Sequence, residues 1–278
     1  MLLFSPAWMK PRSRLMQDRS FFLGRWVVNG GVKMVSWVEL LLIAIAPSVF
    51  FLWFFRHKDR YEPEPIWFMF KVFFLGALSI IPAVIVEVVA DPIFQPASGL
   101  FEAVLFFFII VGPIEEFGKF GAVRLRAYNS RGFDEPMDGI VLGVSAALGF
   151  ATVENIVAVF SAPTPESQLF TGILRAFVSV PGHAFWGAIT GFYLGQAKYL
   201  KKPRLAFVGL GIAALLHGAF DSTASVFDVL AGNSVSVALF GLLVLAGVVW
   251  VTYRKIVRPE ISEAEGESPF KRPTPSTT

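Results

Sequence analysis

The sequence predicts an all-α membrane protein that crosses the bilayer several times. Hydrophobic residues make up 55% of the chain and charged residues only 16%, whereas soluble domains carry roughly 25% charged residues. The mean hydropathy is +0.62. The apolar residues are also grouped into segments long enough to cross a membrane as helices, which need about 20 residues each. A chain of this composition has too little polar surface to form a soluble globule.

Seven apolar segments of adequate length follow one another along the chain. They predict a bundle of about seven transmembrane helices, and each segment is separated from the next by a short polar or proline-containing connection. The segments run approximately over residues 37–55, 66–89, 101–123, 138–160, 169–195, 205–224 and 235–253.

Basic residues alternate between the connections and predict the orientation of the bundle. The loops after the first, third, fifth and seventh segments are basic, while the loops at 90–100, 161–168 and 225–234 contain neither Lys nor Arg. Because basic loops stay in the cytoplasm, we expect a cytoplasmic C-terminus and a multi-pass location in the cell (plasma or inner) membrane. No nucleic-acid motif accompanies the basic residues, so we expect the lipid bilayer and no nucleic acid as partner.

The two ends of the chain differ from the transmembrane domain predicted over residues 34–258. Residues 1–33 hold six Lys or Arg residues, although the topology would put this segment outside the cell. Either translation begins at Met34, or the segment is a cytoplasmic amphipathic arm that changes the topology of the first span. Residues 259–278 are polar and rich in Pro, Ser and Thr, which predicts a disordered cytoplasmic tail.

Ionisable residues inside the apolar segments are the candidates for function. Glu115 and Glu116 lie side by side in the third segment, where a charged group costs on the order of 2.5 kcal/mol or more. Packing alone does not require two carboxylates at such a place. The other polar candidates within apolar segments are Lys119, Glu154, Asn155, His183, His217 and Asp221.

Depth and spacing suggest that these residues form one site. With a rise of about 1.5 Å per residue, Glu115, His183 and His217 lie at similar depths near the bilayer middle, although they belong to three different segments. Lys119 follows Glu115 by four residues and Asp221 follows His217 by four, so each pair shares a helix face. We therefore expect a polar site near the bilayer middle.

Two further features of the segments have a structural interpretation. Gly187, Gly191 and Gly195 follow His183 on one helix stripe, and such stripes let helices approach closely. This packing could hold His183 against the helix that carries the glutamates. Glu87 and Arg175 lie near segment ends, which favours a structural or interfacial role for both.

The residue types favour activation of a water molecule. The chain has no cysteine, which excludes thiolate metal sites and cysteine nucleophiles. It also lacks the H-E-x-x-H and G-x-S-x-G motifs. A carboxylate in an apolar site could act as the base for water. The same groups could instead hold a divalent metal such as zinc, with His183, His217, Glu115 and Glu154 as candidate ligands, and the sequence leaves both versions open.

Four short motifs occur in order along consecutive segments. They are E-E-x-x-K at Glu115–Lys119, F-x-x-x-E-N at Phe150–Asn155, H-x-x-x-G at His183–Gly187 and H-x-x-x-D at His217–Asp221, preceded by Y-E-P-E-P at Tyr61–Pro65. In order and spacing this set resembles the PrsW family of intramembrane proteases. That family is related to the CAAX-processing and bacteriocin-processing (Abi) membrane proteases. The resemblance covers about residues 34–258.

The resemblance implies an enzyme that hydrolyses peptide bonds of a membrane-anchored, single-span protein, such as an anti-sigma factor in a regulatory cascade. It implies that Glu115 and Glu116 are catalytic carboxylates and that His183 and His217 act with them. It also implies that Lys119, Glu154, Asn155 and Asp221 support the site. The related proteases carry E-E-x-x-x-R and a His in place of Glu154, so individual roles do not transfer directly.

Two other functions remain open on the residues alone. In a proton-coupled transporter, Glu115, Glu154 and His217 would form a proton relay, although no internal repeat of the kind common in transporters is visible. In a non-catalytic scaffold, the glycine stripe would bind a partner's transmembrane helix. Cleavage of a membrane substrate, flux into liposomes, or neither would separate these functions.

Overall fold

The computed structural model describes residues 24–28, 31–232 and 234–271, and from Trp37 onwards it confirms the predicted all-α architecture. The helices are α1 Trp37–Lys58, α2 Ile66–Leu78, α3 Ile80–Phe94, α4 Leu100–Phe106, α5 Gly112–Arg126, α6 Pro136–Ser161, α7 Pro165–Phe177, α8 Ser179–Tyr199, α9 Arg204–Ala231, α10 Val235–Thr252 and α11 Arg258–Glu267. Strands β1 (Gly24–Val28) and β2 (Gly31–Val35) form an antiparallel hairpin before α1. Most of the predicted N-terminal extension, residues 1–23, lies outside the described residues.

Five helical stretches among the described residues are long and apolar enough to cross a membrane. They are Trp37–Lys58, Ile66–Phe94, Pro136–Ser161, Arg204–Ala231 and Ser236–Glu267. Their large side chains face outward on α1, α2, α3 and α10, as lipid-facing helices require. The protein is therefore a multi-pass membrane protein. Two of the seven predicted segments, 101–123 with the glutamate pair and 169–195 with His183, are not among these five stretches. The total of seven spans therefore stays a prediction.

Prolines divide two of the predicted segments into paired helices. Ser79 separates α2 from α3, three residues before Pro82, and Val178 separates α7 from α8, three residues before Pro181. Proline has no N–H, and its ring clashes with the carbonyl four residues earlier. That carbonyl belongs to the last residue of the preceding helix in both cases, so the helix ends there.

A third proline shapes the helix that carries the glutamates. Residues Phe107–Val111 form a π-helical turn between α4 and α5, and Pro113 is the second residue after it, in the first turn of α5. A π turn inserts one residue into the helical ladder and is a common way to accommodate such an interruption. The turn sets the direction in which α5 presents Glu115 and Glu116.

Helix α6 occupies the centre of the bundle and packs most closely against α8. A Cβ atom on Gly191 would lie 2.0 Å from the carbonyl oxygen of Gly139, and one on Gly143 would lie 2.3 Å from that of Gly187. Only glycines permit this separation of the two backbones. The stripe on α8 therefore fits α6, and the suggestion that it holds His183 against the glutamate helix is wrong.

The predicted tail is helical over its first part, which corrects the prediction of disorder for 259–278. Residues Arg258–Glu267 form α11, which packs against α6 and α8. Ile261 and Ala264 are buried in this contact. Their spacing of three residues places both on one helix face, a signal that is visible in the sequence but weak beside its high polarity. Residues 272–278 lie outside the described residues.

Candidate active site

Helices α5, α6, α8 and α9 bring all of the sequence-predicted site residues into one buried cluster. Glu116 and Asn155 are fully buried, and the other members are buried or nearly so. The cluster consists of Glu115, Glu116, Lys119, Glu154, Asn155, His183, His217 and Asp221. Contacts among these residues run within helices and between them, and those between helices agree with the shared depth in the sequence.

The ammonium of Lys119 lies at the centre of the cluster. Its Nζ is 2.7 Å from Glu116 Oε1 and 3.3 Å from Glu115 Oε2, and 2.9 Å from His183 Nδ1. An ammonium has three N–H donors and no acceptor, so these three acceptors satisfy it. Lys119 also lies 4.4 Å from the ring centre of Phe150, a distance at which a cation is attracted to an aromatic face.

His217 is held by Glu116 through one nitrogen and faces two other carboxylates with the other. Its Nδ1 lies 2.9 Å from Glu116 Oε1, and because an ionised carboxylate only accepts, Nδ1 is the donor. Its Nε2 lies 3.4 Å from Asp221 Oδ2 and 3.8 Å from Glu115 Oε2. The imidazole also stacks on Trp186, with ring centres 4.2 Å apart. The hydrogen bond to Glu116 and this stack together fix the orientation of the ring.

His183 is oriented by a chain of polar contacts that extends to α7. Its Nε2 lies 2.9 Å from Glu154 Oε2, and the same oxygen lies 2.9 Å from a terminal nitrogen of Arg175. Arg175 Nε donates to Asn155 Oδ1 at 2.6 Å. Asn155 Nδ2 donates in turn to the carbonyl of Ala44 in α1. The Nδ1 of His183 is left to face the ammonium of Lys119.

A close helix crossing brings the glutamates to His217. A Cβ atom on Gly112 would lie 2.6 Å from the carbonyl oxygen of Ala214, and one on Gly218 would lie 3.0 Å from that of Phe107. The two glycines therefore allow α9 to contact the start of α5 and the π turn before it. Since Gly218 follows His217 directly, this crossing positions the imidazole beside Glu116.

A cavity of about 540 Å³ opens beside the cluster, between α7, α8, α9 and α10. Glu154, Arg175, His183, His217 and Asp221 line its polar end. The remaining wall is mostly apolar and includes Phe170, Leu174, Phe227 and Leu242. Glu115 and Glu116 lie behind the histidines, away from the lining. An apolar cavity with a few convergent polar groups is the usual form of a binding site.

The donor set fits a divalent metal ion. Glu115, His183 and His217 each offer a ligand atom, and these atoms lie within 4.8 Å of one another. Two histidines and one glutamate form a known catalytic zinc set. Each imidazole also has a carboxylate on its other nitrogen, Glu154 for His183 and Glu116 for His217, as metal-bound histidines usually do.

The fourth metal candidate from the sequence lies in a different position. Glu154 stands behind His183, between that ring and Arg175, and it does not belong to the group of three ligand atoms. The ammonium of Lys119 already occupies a place between Glu115 and His183. The place between Glu115 and His183 therefore holds a positive charge, that of the Lys119 ammonium.

Three residues in or near the site have contacts or burial that the sequence did not predict. Arg175 is 9% exposed and joins Glu154 to Asn155, so it is not interfacial. Trp186 follows His183 by three residues and thus shares its helix face, which is the signal that could have identified it. Glu87 is buried in α3, and its Oε1 has no hydrogen-bond partner among the described residues.

Comparison with known proteins agrees with this arrangement. The family model described as PrsW family intramembrane metalloprotease matches residues 64–252. Protease PrsW of Geobacillus kaustophilus is 36% identical over 185 residues, which is 66% of this chain and 78% of that protein. Protease PrsW of Bacillus subtilis is 33% identical over 185 residues, 66% of this chain and 81% of that protein.

A third relative, Protease PrsW of Clostridioides difficile, is 33% identical over 188 residues, covering 66% of this chain and 78% of its own. No solved structure gives a significant match to the chain. The matched region contains every residue of the buried cluster, and the relatives are named as proteases. The protein is an enzyme, and it belongs to the PrsW family of intramembrane metalloproteases.

Proposed function

We propose that this protease cuts single-span membrane proteins in the half of the bilayer opposite its basic loops, by a metal-assisted attack of water on the peptide bond. The observation that carries the proposal is the position of the buried cluster at the polar end of the apolar cavity. His183, His217 and Asp221 line both the cavity and the cluster. A substrate in the cavity would therefore present a peptide bond directly to these groups.

We assign Glu115, His183 and His217 to the binding of a divalent ion such as zinc. A metal ion in such a site lowers the pKa of a bound water and polarises a carbonyl group. Glu116 and Glu154 then act as positioning residues, because each holds one imidazole by its second nitrogen. Lys119 balances the charge of the two adjacent glutamates, and Asn155 holds Arg175 in place.

Asp221 is the group best placed to accept the proton of the attacking water. It lines the cavity and lies 3.4 Å from His217 Nε2, whereas Glu116 is fully buried behind the ring. The water oxygen bonds to the peptide carbonyl carbon and the C–N bond breaks. The proton taken by Asp221 passes to the leaving nitrogen, which departs as an amine. General base catalysis of this kind contributes about 10²–10⁴-fold.

The side of cleavage follows from charge and cavity position together. The cavity extends from the cluster towards the C-terminal end of α9 and the start of α10, where residues 225–234 contain neither Lys nor Arg. By the positive-inside rule this end is extracytoplasmic, and the C-terminus is cytoplasmic. The first substrate to test is an anti-sigma factor, a single-span regulator with a domain outside the membrane, as the family resemblance suggested.

The proposal is tested with the full chain and a single-span substrate in proteoliposomes. Mass spectrometry of the products locates the cut, and metal content is measured on the same preparations. We expect a cut in the extracytoplasmic half of the substrate span, about one tightly bound zinc or similar transition-metal ion per chain, and loss of the cut and of this ion with Glu115→Gln. A cut in the cytoplasmic half would contradict the assigned side, and full activity of metal-free protein would contradict the metal assignment.

A further inference from the structure

A second group of carboxylates lies outside the active site, at the end of the bundle where the loops are basic. Asp59 follows α1, Glu64 precedes α2, and Glu135 and Asp138 lie at the start of α6. All four residues are buried, with 2–3% of their surface exposed. One oxygen each of Asp59, Glu135 and Asp138 lies within 4.8 Å of the other two.

Backbone hydrogen bonds hold two of these carboxylates, and a hydroxyl holds a third. The backbone N–H of Glu64 donates to Asp59 Oδ2 at 3.0 Å. Asp138 Oδ2 accepts from the backbone N–H groups of Asp134 and Glu135, at 2.8 and 2.9 Å. The hydroxyl of Ser268, just after α11, donates to Glu135. The group therefore joins the α1–α2 loop, the start of α6 and the C-terminal segment.

Neighbouring basic side chains do not neutralise the group. Arg56 Nε donates to the backbone carbonyl of Glu64 at 3.0 Å, and Lys198 Nζ donates to the carbonyls of Ser130 and Phe133. Across the described ranges, no ion pair involves any of the four carboxylates. Several buried negative charges without a counter-charge are strongly unfavourable.

The side chain of Glu64 gives separate evidence that the group lacks a positively charged partner. Its Oε1 is buried and has no hydrogen-bond partner among the residues that the structure describes. The charges acting most strongly on this carboxyl group are those of Asp138 and Asp59, and burial together with these charges raises the pKa of Glu64 to about 9. Asp59 Oδ1 is likewise buried without a hydrogen-bond partner among the described residues, so Asp59 and Glu64 each have an oxygen free to bind a cation.

We infer that Asp59, Glu64, Glu135 and Asp138 form a structural binding site for a hard divalent cation, separate from the catalytic cluster. Carboxylate oxygens alone, without imidazole, are the ligands that Ca²⁺, Mg²⁺ and Mn²⁺ prefer. The bound ion cross-links the α1–α2 loop to α6. Through Ser268 it also stabilises the docking of α11, which belongs to the segment expected to be disordered.

The test uses the full chain, purified in detergent, stripped with chelator and titrated with Mn²⁺, whose paramagnetic signal counts bound ions. A variant with both His183→Ala and His217→Ala removes the catalytic ligands, so that any remaining ion belongs to the second site. Glu64→Gln and Asp59→Asn, made separately in this background, each remove one ligand charge with little change of shape. Glu62→Gln, at an exposed position in the same loop, is the matched control. Size-exclusion chromatography verifies folding.

We expect about one Mn²⁺ per chain in the double-histidine background and in the Glu62→Gln control. We also expect Tm to rise by roughly 5–10 °C with Mn²⁺, Mg²⁺ or Ca²⁺ at about 100 times Kd. Both effects should be lost in Glu64→Gln and in Asp59→Asn. Absence of a bound ion in the double-histidine background, or unchanged binding in either folded carboxylate variant, would overturn the inference. Neither result bears on the catalytic site.

Discussion

Glu116 on α5 and His217 on α9 are joined by a contact of 2.9 Å between Oε1 and Nδ1. The carboxylate is fully buried and can only accept, so it fixes the imidazole with its proton on Nδ1. Nε2 is then free of protein donors and faces Asp221 and Glu115 across distances longer than a direct hydrogen bond. One contact between two helices thus orients, at the edge of the cavity, the nitrogen that the proposed metal ion would bind.

Glu116→Gln should weaken the site without changing how substrate binds. In the wild-type protein, Glu116 Oε1 accepts from both the Lys119 ammonium and the His217 N–H. The neutral amide oxygen of Gln is a weaker acceptor for both donors. Loss of such a positioning carboxylate typically costs about 10–100-fold in metal affinity or activity. We expect kcat to fall by that factor at limiting metal with KM unchanged, because Glu116 does not line the cavity.

The exposed Glu166 at the start of α7 provides the control for this variant. Glu166→Gln makes the same chemical change away from the cluster and should leave kcat and metal affinity at the wild-type values. An unchanged metal affinity in Glu116→Gln would show that Glu116 does not position His217.

Arg175→Gln should disturb His183 through Glu154. The guanidinium bridges Glu154 and Asn155 with a planar fork, and Lys keeps the charge but not this geometry. We expect activity and metal affinity to fall by about 10–100-fold in Arg175→Gln and by less in Arg175→Lys. Metal titration and steady-state kinetics on the folded variants measure both.

Arg204, exposed at the start of α9, is the control position, and Arg204→Gln should behave as wild type. If Arg175→Lys and Arg175→Gln lost metal affinity equally, the charge would not matter and only the fork would. If neither variant lost affinity, Arg175 would have no positioning role.

Asp221→Asn separates proton transfer from metal binding. Asn keeps the size of the side chain but cannot take a proton from water. We expect kcat to fall by about 100-fold or more while metal content stays at the wild-type value, in contrast to Glu115→Gln. Activity near that of wild type in Asp221→Asn would exclude Asp221 as the proton acceptor.

Gly191→Ala should destabilise the bundle because α6 and α8 have no room for a methyl group between them. The new Cβ would lie 2.0 Å from the backbone of Gly139, and forced separation of packed elements typically costs about 1–3 kcal/mol. Gly211→Ala on α9 is the control, since a Cβ there would meet no atom within 4 Å. Thermal unfolding in detergent measures both, and equal stability of the two variants would contradict the packing described here.

Hydropathy and charge predicted much of the architecture, because transfer of apolar helices into lipid depends on composition. The helix breaks at Ser79 and Val178 were not predicted, although Pro82 and Pro181 signal them, since the apolar run continues across both breaks. Helix α11 was missed because its short apolar face is outweighed by polar residues. Its stability comes from tertiary contacts with α6 and α8.

The common depth of these residues predicted that they lie together, because few ionisable groups occur inside apolar segments; their roles in catalysis stay a proposal. Which residue or helix each of these groups contacts was harder to predict. Arg175 lies near the end of a segment in the sequence, yet the break at Val178 turns α7 so that Arg175 reaches Glu154. The glycine stripe on α8 was interpreted correctly as packing, but a stripe does not specify which neighbour it meets.

The most direct test of the account is cleavage of a reconstituted single-span substrate by wild-type protein and by Glu115→Gln, with folding and metal content measured on the same samples. The account predicts that the wild-type protein holds a zinc-like metal ion in the catalytic cluster and cuts the substrate, and that folded Glu115→Gln loses this ion and cuts at least about 10³-fold more slowly. Wild-type cleavage rates in folded Glu115→Gln would contradict it.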